Sequence, residues 1–500
     1  MTGPTAARDR TPDRTGVDAD AVRIGKDVIE LITTGMYVSP VTIYREYVQN
    51  AADAIDAARS SGLLDAGKRG RVSIAFDHPA RSVTVRDDGS GIPARDVLNI
   101  LLAVGGSLKR GTGARGFRGV GRLSGLAYCR ELEFRTKATG EKSIVSLTWD
   151  CRALRERLAD SAFGGDLRRI VSDVVSISYE KADDDADHFF EVRLRDIARL
   201  RNDVLLNEQL IARHLAQVGP VPFSPDFSFG KEIQKRLSTH ASQIPIELTV
   251  AGDVLYRPYR DELEFPGTAH GLRIQDLEFA EFADVDGGIG ALGWIAHHEY
   301  VRSIPTGPGV RGLRARFGDL QVGESNLFED SFKEPRFNGW TVGELHVFDR
   351  RIVPNARRDN FEINHHYSNL LVQLGPVAAR IAQKCRSASV SRNATQIVRN
   401  VIAEVETRIK QTRPFDRAEL SRFKSAVLRA QAKAKGIADQ KLRQSLLAKL
   451  DRLTAVLAKS SPKRGASVVA MDEAASLISR LITNREQANK LIEHLRRLCG

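Results

Sequence analysis

Apolar positions set the first helical signal. Val22, Ile24, Val28, Ile29, Leu31 and Ile32 recur near every 3.6 residues, which predicts an amphipathic helix over Ala21–Met36, ended near Gly35. After the Ser39-Pro40 break a second helix runs from about Val41 to Arg59, with Ile43, Val48, Ala51, Ala52 and Ile55 facing the core. The period then changes to two. Arg71–Phe76 and Ser82–Arg86 alternate apolar and polar residues around DHPAR, the pattern of a β-hairpin. A short helix is expected over Ala94–Val104. Strand-like runs at Glu131–Arg135, Ser143–Asp150, Asp173–Glu180 and Phe189–Arg195 follow, with helical patterns at Arg152–Leu158 and Leu206–Val218 among them. The result is an α/β sandwich on a mostly antiparallel sheet, ending near Phe223.

Ser224–Ser238 reads as a connector. Ile244–Phe361 carries the runs IELTV, GALGWIAHH and ELHVFDRRIV with many glycines, and reads as a second α/β domain. Its Phe328, Phe332, Phe337 and Trp340 could form either a client-facing patch or core, and the burial habits of aromatics favour core. Leu370–Gly500 is helical throughout, divided by Pro414, Gly436 and Ser460–Gly465 into about four segments. In the last segment Leu477, Ile478, Leu481, Ile482, Ala488, Leu491, Ile492, Leu495 and Leu498 make a stripe suited to a partner helix. The fold class is α+β. The expected divisions are a disordered tail at 1–20, a first α/β domain at 21–223, a middle domain at 224–369 and a helical region at 370–500.

Composition narrows the class. At 500 residues, 42% hydrophobic and 28% charged, the chain is an ordinary globular protein of several domains. No apolar run approaches the roughly 20 residues of a bilayer span, and the start lacks the apolar core of a secretory signal. Four well-separated cysteines suit structural thiols in a reducing cytoplasm. His297–His298 and His365–His366 have no metal-site spacing and read as surface or loop residues. The net charge of +12 is uneven: from Leu371 onward there are 26 Lys+Arg against 10 Asp+Glu.

Three stretches carry chemistry. Glu46, Asn50 and Asp53 fall on one face of the second helix, and an asparagine in mid-helix is disfavoured by propensity. A solvated acidic face would explain these three alone. Asp87-Asp88-Gly89-Ser90-Gly91-Ile92-Pro93 ends the hairpin, its glycines allowing a sharp turn close to a ligand. From Gly105 to Gly125, eight of 21 residues are glycine. Gly116-x-x-Gly119-x-Gly121 before an apolar run at Leu123–Tyr128 offers backbone amides to phosphate. It is neither a dinucleotide fingerprint nor a Walker loop.

In this order, Glu-x3-Asn-x2-Asp, Asp-x-Gly-x-Gly and Gly-x2-Gly-x-Gly resemble the Bergerat-type (GHKL) ATPase fold. Gyrase B, MutL, sensor histidine kinases and the heat-shock protein 90 family share it. IGKDVIELITTGMYVSPVTIYREYVQNAADAIDAAR looks like the first two helices of the heat-shock protein 90 family, and FEVRLRDIARLRNDVLLNEQLIARHLAQVGPVPF like the end of its ATPase domain. GELHVFDRRIVPNARRDNFE (Gly343–Glu362) is similar to its middle-domain loop, with Asn355-x-x-Arg358 as the arginine motif. The likeness suggests a short, divergent bacterial-type homologue, runs from about Val22 to Tyr367, and fails beyond.

The resemblance implies a slow ATPase using ATP and Mg²⁺. Glu46 would be the general base, Asn50 the Mg²⁺ ligand, and Asp87 the acceptor for the adenine amino group. Asp53, Gly89 and Gly91 would support the nucleotide. Gly116, Gly119, Val120 and Gly121 would wrap the phosphates, with Lys109 a candidate lid cation. Arg358 would meet the γ-phosphate, with Arg357 as its rival. The family's Gly-Thr at the last pocket strand is Asp187-His188 here, beside the acidic run Ala182–Asp187. The implied function is a cytoplasmic, chaperone-like homodimer clamping protein clients. GFRG at Gly116–Gly119 and the basic tail keep open a nucleic-acid-associated clamp of MutL or gyrase type. A non-hydrolysing scaffold in a bacterial defence or signalling assembly is a further alternative. No H-box helix precedes the pocket, which argues against a histidine kinase.

Overall fold

The structure of the chain, a computed structural model, describes residues 39–65, 67–103, 121–160, 167–182, 187–241, 244–265, 271–411, 413–460 and 466–499. The tail expected at 1–20, the helix expected over Ala21–Met36, and Lys109, Gly116, Gly119 and Val120 lie outside these residues. The chain divides into two compact units, Met1–Ala382 and Gln383–Gly500.

The first unit contains helices α1 (Thr42–Ser60), α2 (Val97–Leu101), α3 (Cys151–Ala159), α4 (Leu167–Val174), α5 (Glu208–Val218) and α6 (Gly230–Ser238). Its larger sheet is built from β1 (Arg71–Asp77), β2 (Ser82–Asp87), β3 (Cys129–Lys137), β4 (Ser143–Asp150), β5 (Val175–Lys181), β6 (Phe189–Ile197), β7 (Glu247–Val250) and β8 (Asp253–Val254). The strand order is β5-β4-β3-β6-β2-β1-β7-β8, antiparallel except for the parallel β1/β7 pair. The alternation read in the hairpin is the alternation of the pleat: Val72 and Ile74 face the core while Arg71 and Ser73 face solvent. Ile43, Val48, Ala51, Ala52 and Ile55 of α1 join Val72, Ile74, Val83, Val85, Leu132, Phe134 and Leu194 in one core. The other sheet face carries an ion-pair lattice in which Glu191 meets Arg86, Arg135 and Arg193.

A two-stranded ribbon, β9 (Glu262–Leu263) with β10 (Leu272–Arg273), precedes the second sheet. That sheet contains β11 (Asp276–Ala283), β12 (Ile289–His297), β13 (Gly312–Phe317), β14 (Leu320–Val322) and β15 (Val342–Val347). The order is β11-β12-β15-β13-β14, with β13 parallel to β15. β15 is buried along its whole length, as expected of a strand covered on both faces.

Several expectations are revised. IELTV does not begin the second domain; as β7 it pairs with β1 and extends the first sheet to Val254. The connector contains α6, which buries Ile233 and Leu237. Asp173 and Val174 end α4 rather than starting a strand. Phe328, Phe332 and Phe337 are buried, the core placement favoured in the sequence, and Trp340 is half-buried. His298 is also buried, hydrogen-bonded through Nε2 to the Trp340 carbonyl at 2.9 Å.

Helix α7 (His365–Lys410) is followed by α8 (Arg417–Ala434), α9 (Gln440–Lys459), α10 (Ala466–Leu481) and α11 (Arg485–Cys499). In the second unit, Val398, Ile402 and Val405 of α7 pack with Phe423 and Val427 of α8 and Leu446, Leu450, Leu453 and Leu457 of α9. Asp416 and Asp439 cap α8 and α9 by accepting from Glu419 N and Leu442 N. The last segment, expected as one helix, is two. Asn484 breaks it by accepting from the amides of Glu486 and Gln487 at the start of α11. Leu477, Leu481 and Leu491 of the apolar stripe are exposed.

Candidate functional site

The site starts with α1, whose apolar face anchors it to the sheet and so fixes where its polar residues stand. Glu46 and Asp53 are buried and Asn50 is half-buried. Burial of this many polar groups on one helix face is costly unless something polar meets them. The Arg45 guanidinium donates to Glu46 Oε1 at 3.0 Å. Gly121 opens a 3₁₀ turn, Gly121–Ala127, and its backbone lies against the same carboxylate. A Cβ at that position would stand 2.4 Å from Glu46 Oε2, so any larger residue must displace the carboxylate or the turn.

The end of β2 closes another side. Asp87 is buried, and its Oδ1 accepts from Gly89 N at 2.9 Å. Asp88 points the other way and accepts from Arg71 N at 2.7 Å. Gly89 packs on α1, where a Cβ would meet Ala54 at 2.7 Å, and Gly91 has φ of 64°. His188, at the position of the family threonine, makes a 2.6 Å hydrogen bond from Nδ1 to the Gly89 carbonyl. Nδ1 is therefore the protonated nitrogen in the neutral ring.

The second sheet supplies the last member. Arg358 is buried and its Nε lies 3.8 Å from Glu46 Oε1, whereas Arg357 is exposed. Arg45, Arg358 and Gly121 thus surround one carboxylate. Asn355 holds the Arg358 loop through Asp359 Oδ1, which accepts from Asn355 Nδ2 at 2.6 Å.

With this geometry in hand, residues 38–162 match the family described as histidine kinase-, DNA gyrase B-, and HSP90-like ATPase. The segment is a GHKL-type ATPase domain. The chain is also similar to proteins named chaperone protein HtpG. The protein of Polaromonas naphthalenivorans is 24% identical over 139 residues, covering 24% of this chain and 22% of that protein. That of Escherichia coli is 25% identical over 142 residues, covering 25% and 23%. That of Anaplasma marginale is 30% identical over 92 residues, covering 17% and 14%. The aligned part spans less than a quarter of the length of each of these relatives.

Several groups around the GHKL pocket were not legible as such. At the junction of the two sheets, Glu344 of β15 accepts from Arg257 Nη1 (2.7 Å), Arg316 Nε (2.5 Å), Tyr259 Oη (3.1 Å) and His346 Nε2 (3.0 Å). Burial alone would raise the Glu344 carboxyl; Arg257 and Arg316 outweigh it and hold it well below the usual range. The same arginines grip the chain leaving α5: Arg316 donates to the carbonyls of Gln217 (2.8 Å) and Gly219 (3.2 Å), and Arg257 Nε to that of Val221 (2.9 Å). Within α5, His214 stands beside Arg45; burial first, then that guanidinium, pushes it down to about 4. The available signal was charge inside apolar strands, as in the Arg314-x-Arg316 of β13.

The donor set suits a magnesium nucleotide. The Asn50 carboxamide oxygen is a hard ligand of the type Mg²⁺ prefers, and the glycine approach at Gly121 leaves room that a side chain would fill.

Proposed function

We propose that this chain binds and hydrolyses ATP at the Glu46–Asp87–Arg358 site. The observation that carries the reading is the 3.8 Å approach of Arg358 to Glu46, which brings an arginine of the second sheet to a carboxylate of the ATPase helix. Glu46 orients the attacking water and accepts its proton. Arg358 stabilises charge developing on the γ-phosphoryl group, and Asp87 accepts the adenine amino hydrogen. Asn50 would hold Mg²⁺, which neutralises phosphate charge when bound. Positioning and electrostatics of this kind do most of the work of phosphoryl transfer. Asp53, Gly89, Gly91 and Gly121 shape the pocket. The test is ATP turnover by wild type, Glu46→Ala and Arg358→Ala; turnover that survives Glu46→Ala unchanged sinks the proposal.

At the level of the whole chain, the reading is a cytoplasmic, chaperone-like homodimer acting on protein clients. The HtpG likeness and the exposed Leu477, Leu481 and Leu491 support it. Mass measurement with and without ATP, together with a client-aggregation assay, tests it; a monomer without holdase activity sinks it.

One observation favours a second reading, association with nucleic acid. Lys441, Lys449, Arg452 and Lys459 share one face of α9, are exposed, and make no ion pair among the described residues. If they bind phosphates, affinity for duplex DNA falls with salt at a log–log slope near roughly −4. Salt-independent or absent binding leaves them as a solvated face.

A further inference from the structure

Arg358 reaches Glu46 from an unusual backbone. Its φ is 56°, in the left-handed region that side-chain-bearing residues seldom occupy. Something must hold it there. The loop is closed at its base by a bridge between Pro354 and Phe361, and inside it Arg358 N donates to the Asn355 carbonyl at 3.1 Å. Asn355 N also donates to the Asn360 carbonyl at 2.9 Å, and a further hold comes from outside the loop. Gly323 N, just past β14, donates to the Arg358 carbonyl at 2.8 Å. Gly323 itself has φ of 68°, and a Cβ on it would stand 2.8 Å from the Asp359 carbonyl oxygen, so this turn is built for glycine.

What fixes Gly323 is a buried side chain. Gln321 Nε2 donates to the Gly323 carbonyl at 2.8 Å, and Gln321 Oε1 accepts from Arg314 Nη1 at 3.0 Å. Gln321 and Arg314 are both buried, on neighbouring strands β14 and β13. A buried glutamine hydrogen-bonded at both ends is held in place by those bonds and can act as a spacer. Two residues from Arg314, Arg316 grips the C-terminal carbonyls of α5, which packs on α1. One corner of the second sheet therefore sets both the Arg358 loop and the helix behind Glu46.

We infer that Gln321 is a positioning residue for Arg358, acting through Gly323 to hold the left-handed turn that delivers the guanidinium to Glu46. The inference rests on the ATPase reading above, and its test separates the two.

Gln321→Glu keeps the size and the acceptor for Arg314 but sets an oxygen against the Gly323 carbonyl. Turnover should fall by about tenfold or more while the KM for ATP stays within about twofold, because the change acts on Arg358 and not on nucleotide binding. In an Arg358→Ala background the same substitution should cost nothing further, since its target is gone. Hydrogen exchange of the 353–362 amides gives a readout independent of turnover: exchange should rise there and not in α1.

A merely structural role predicts additive losses in the double variant or a changed KM, and either result overturns the inference while the ATPase reading stands. Unchanged turnover in a folded Gln321→Glu protein overturns it as well. Undiminished turnover in Arg358→Ala instead removes Arg358 from the chemistry of the ATPase reading. Loop exchange then decides whether Gln321 sets the loop at all, and unaltered exchange removes the inference too.

Discussion

Arg358 Nε and Glu46 Oε1 lie 3.8 Å apart, one on a loop of the second sheet and the other on the first helix of the GHKL domain. Both side chains are buried, and Arg45 donates to the same Glu46 oxygen at 3.0 Å.

Removing either partner separates their roles. Glu46→Ala should lower turnover by roughly 10²-fold or more, the scale of general-base loss. Arg358→Ala should lower it by a similar roughly 10²–10³-fold, the scale of one lost charge-stabilising donor. ATP affinity, measured by calorimetry, should hold for Glu46→Ala. A large loss of affinity would mean that Glu46 serves binding.

Asp87→Asn tests base recognition. A carboxamide can still accept from Gly89 N, but it offers an NH₂ where the adenine amino group needs an acceptor. Affinity should fall by about 10–100-fold, as for one unmade buried hydrogen bond. Equal binding of ATP by both proteins would remove Asp87 from the adenine site.

Gly121→Ala places a methyl group 2.4 Å from Glu46 Oε2. Either the carboxylate or the 3₁₀ turn must move, at a stability cost of about 1–3 kcal/mol. Turnover should fall more than ATP affinity does. Wild-type turnover in this variant would show that the approach is not needed for chemistry.

Glu344→Gln tests the buried junction. It leaves Arg257 and Arg316 short of a counter-charge in a site without solvent, at a cost of about 3–5 kcal/mol. Asp319 Oδ1 also accepts from Arg257 Nη2 at 2.6 Å; chemical denaturation measures the cost, and a loss below about 1 kcal/mol would show that Asp319 suffices as counter-charge.

Acid should weaken the first unit. Burial pushes both His214 and His298 down to about 4, so they stay neutral in the folded chain where an unfolded imidazole, near 6.5, takes up a proton. Between those values the unfolded chain binds more protons; the contribution is whole above about 6.5 and is lost as pH falls toward 4. Each ring contributes at most about 3 kcal/mol, and half-buried His214 less. His214→Gln should flatten the fall in unfolding midpoint between pH 7 and 4.5; parallel curves would exclude His214 as a source.

Much of the first unit was legible because its signals are local. The alternation of Val72, Ile74, Val83 and Val85 marks one buried face, and a helix with Val48, Ala52 and Ile55 on one side must turn Glu46, Asn50 and Asp53 to another. Spacing could therefore name Glu46, Asp87 and Gly121 as candidates, and resemblance could add Arg358. Where a strand pairs is not local. The run IELTV carries the same alternation whichever sheet accepts it, and only the tertiary structure puts it beside β1.

The same limit applies to buried charge. Arg257 and Glu344 look like ordinary surface residues in sequence, because partners distant along the chain decide whether a charge can be buried. By itself the sequence determined the helix faces, the hairpin and the order of the pocket motifs, all consequences of period and backbone preference. The tertiary structure decided which of Arg357 and Arg358 turns inward, which aspartate of Asp87-Asp88 is buried, and that Gln321 and Gly323 stand behind the arginine. Those outcomes depend on packing between segments that no local pattern records.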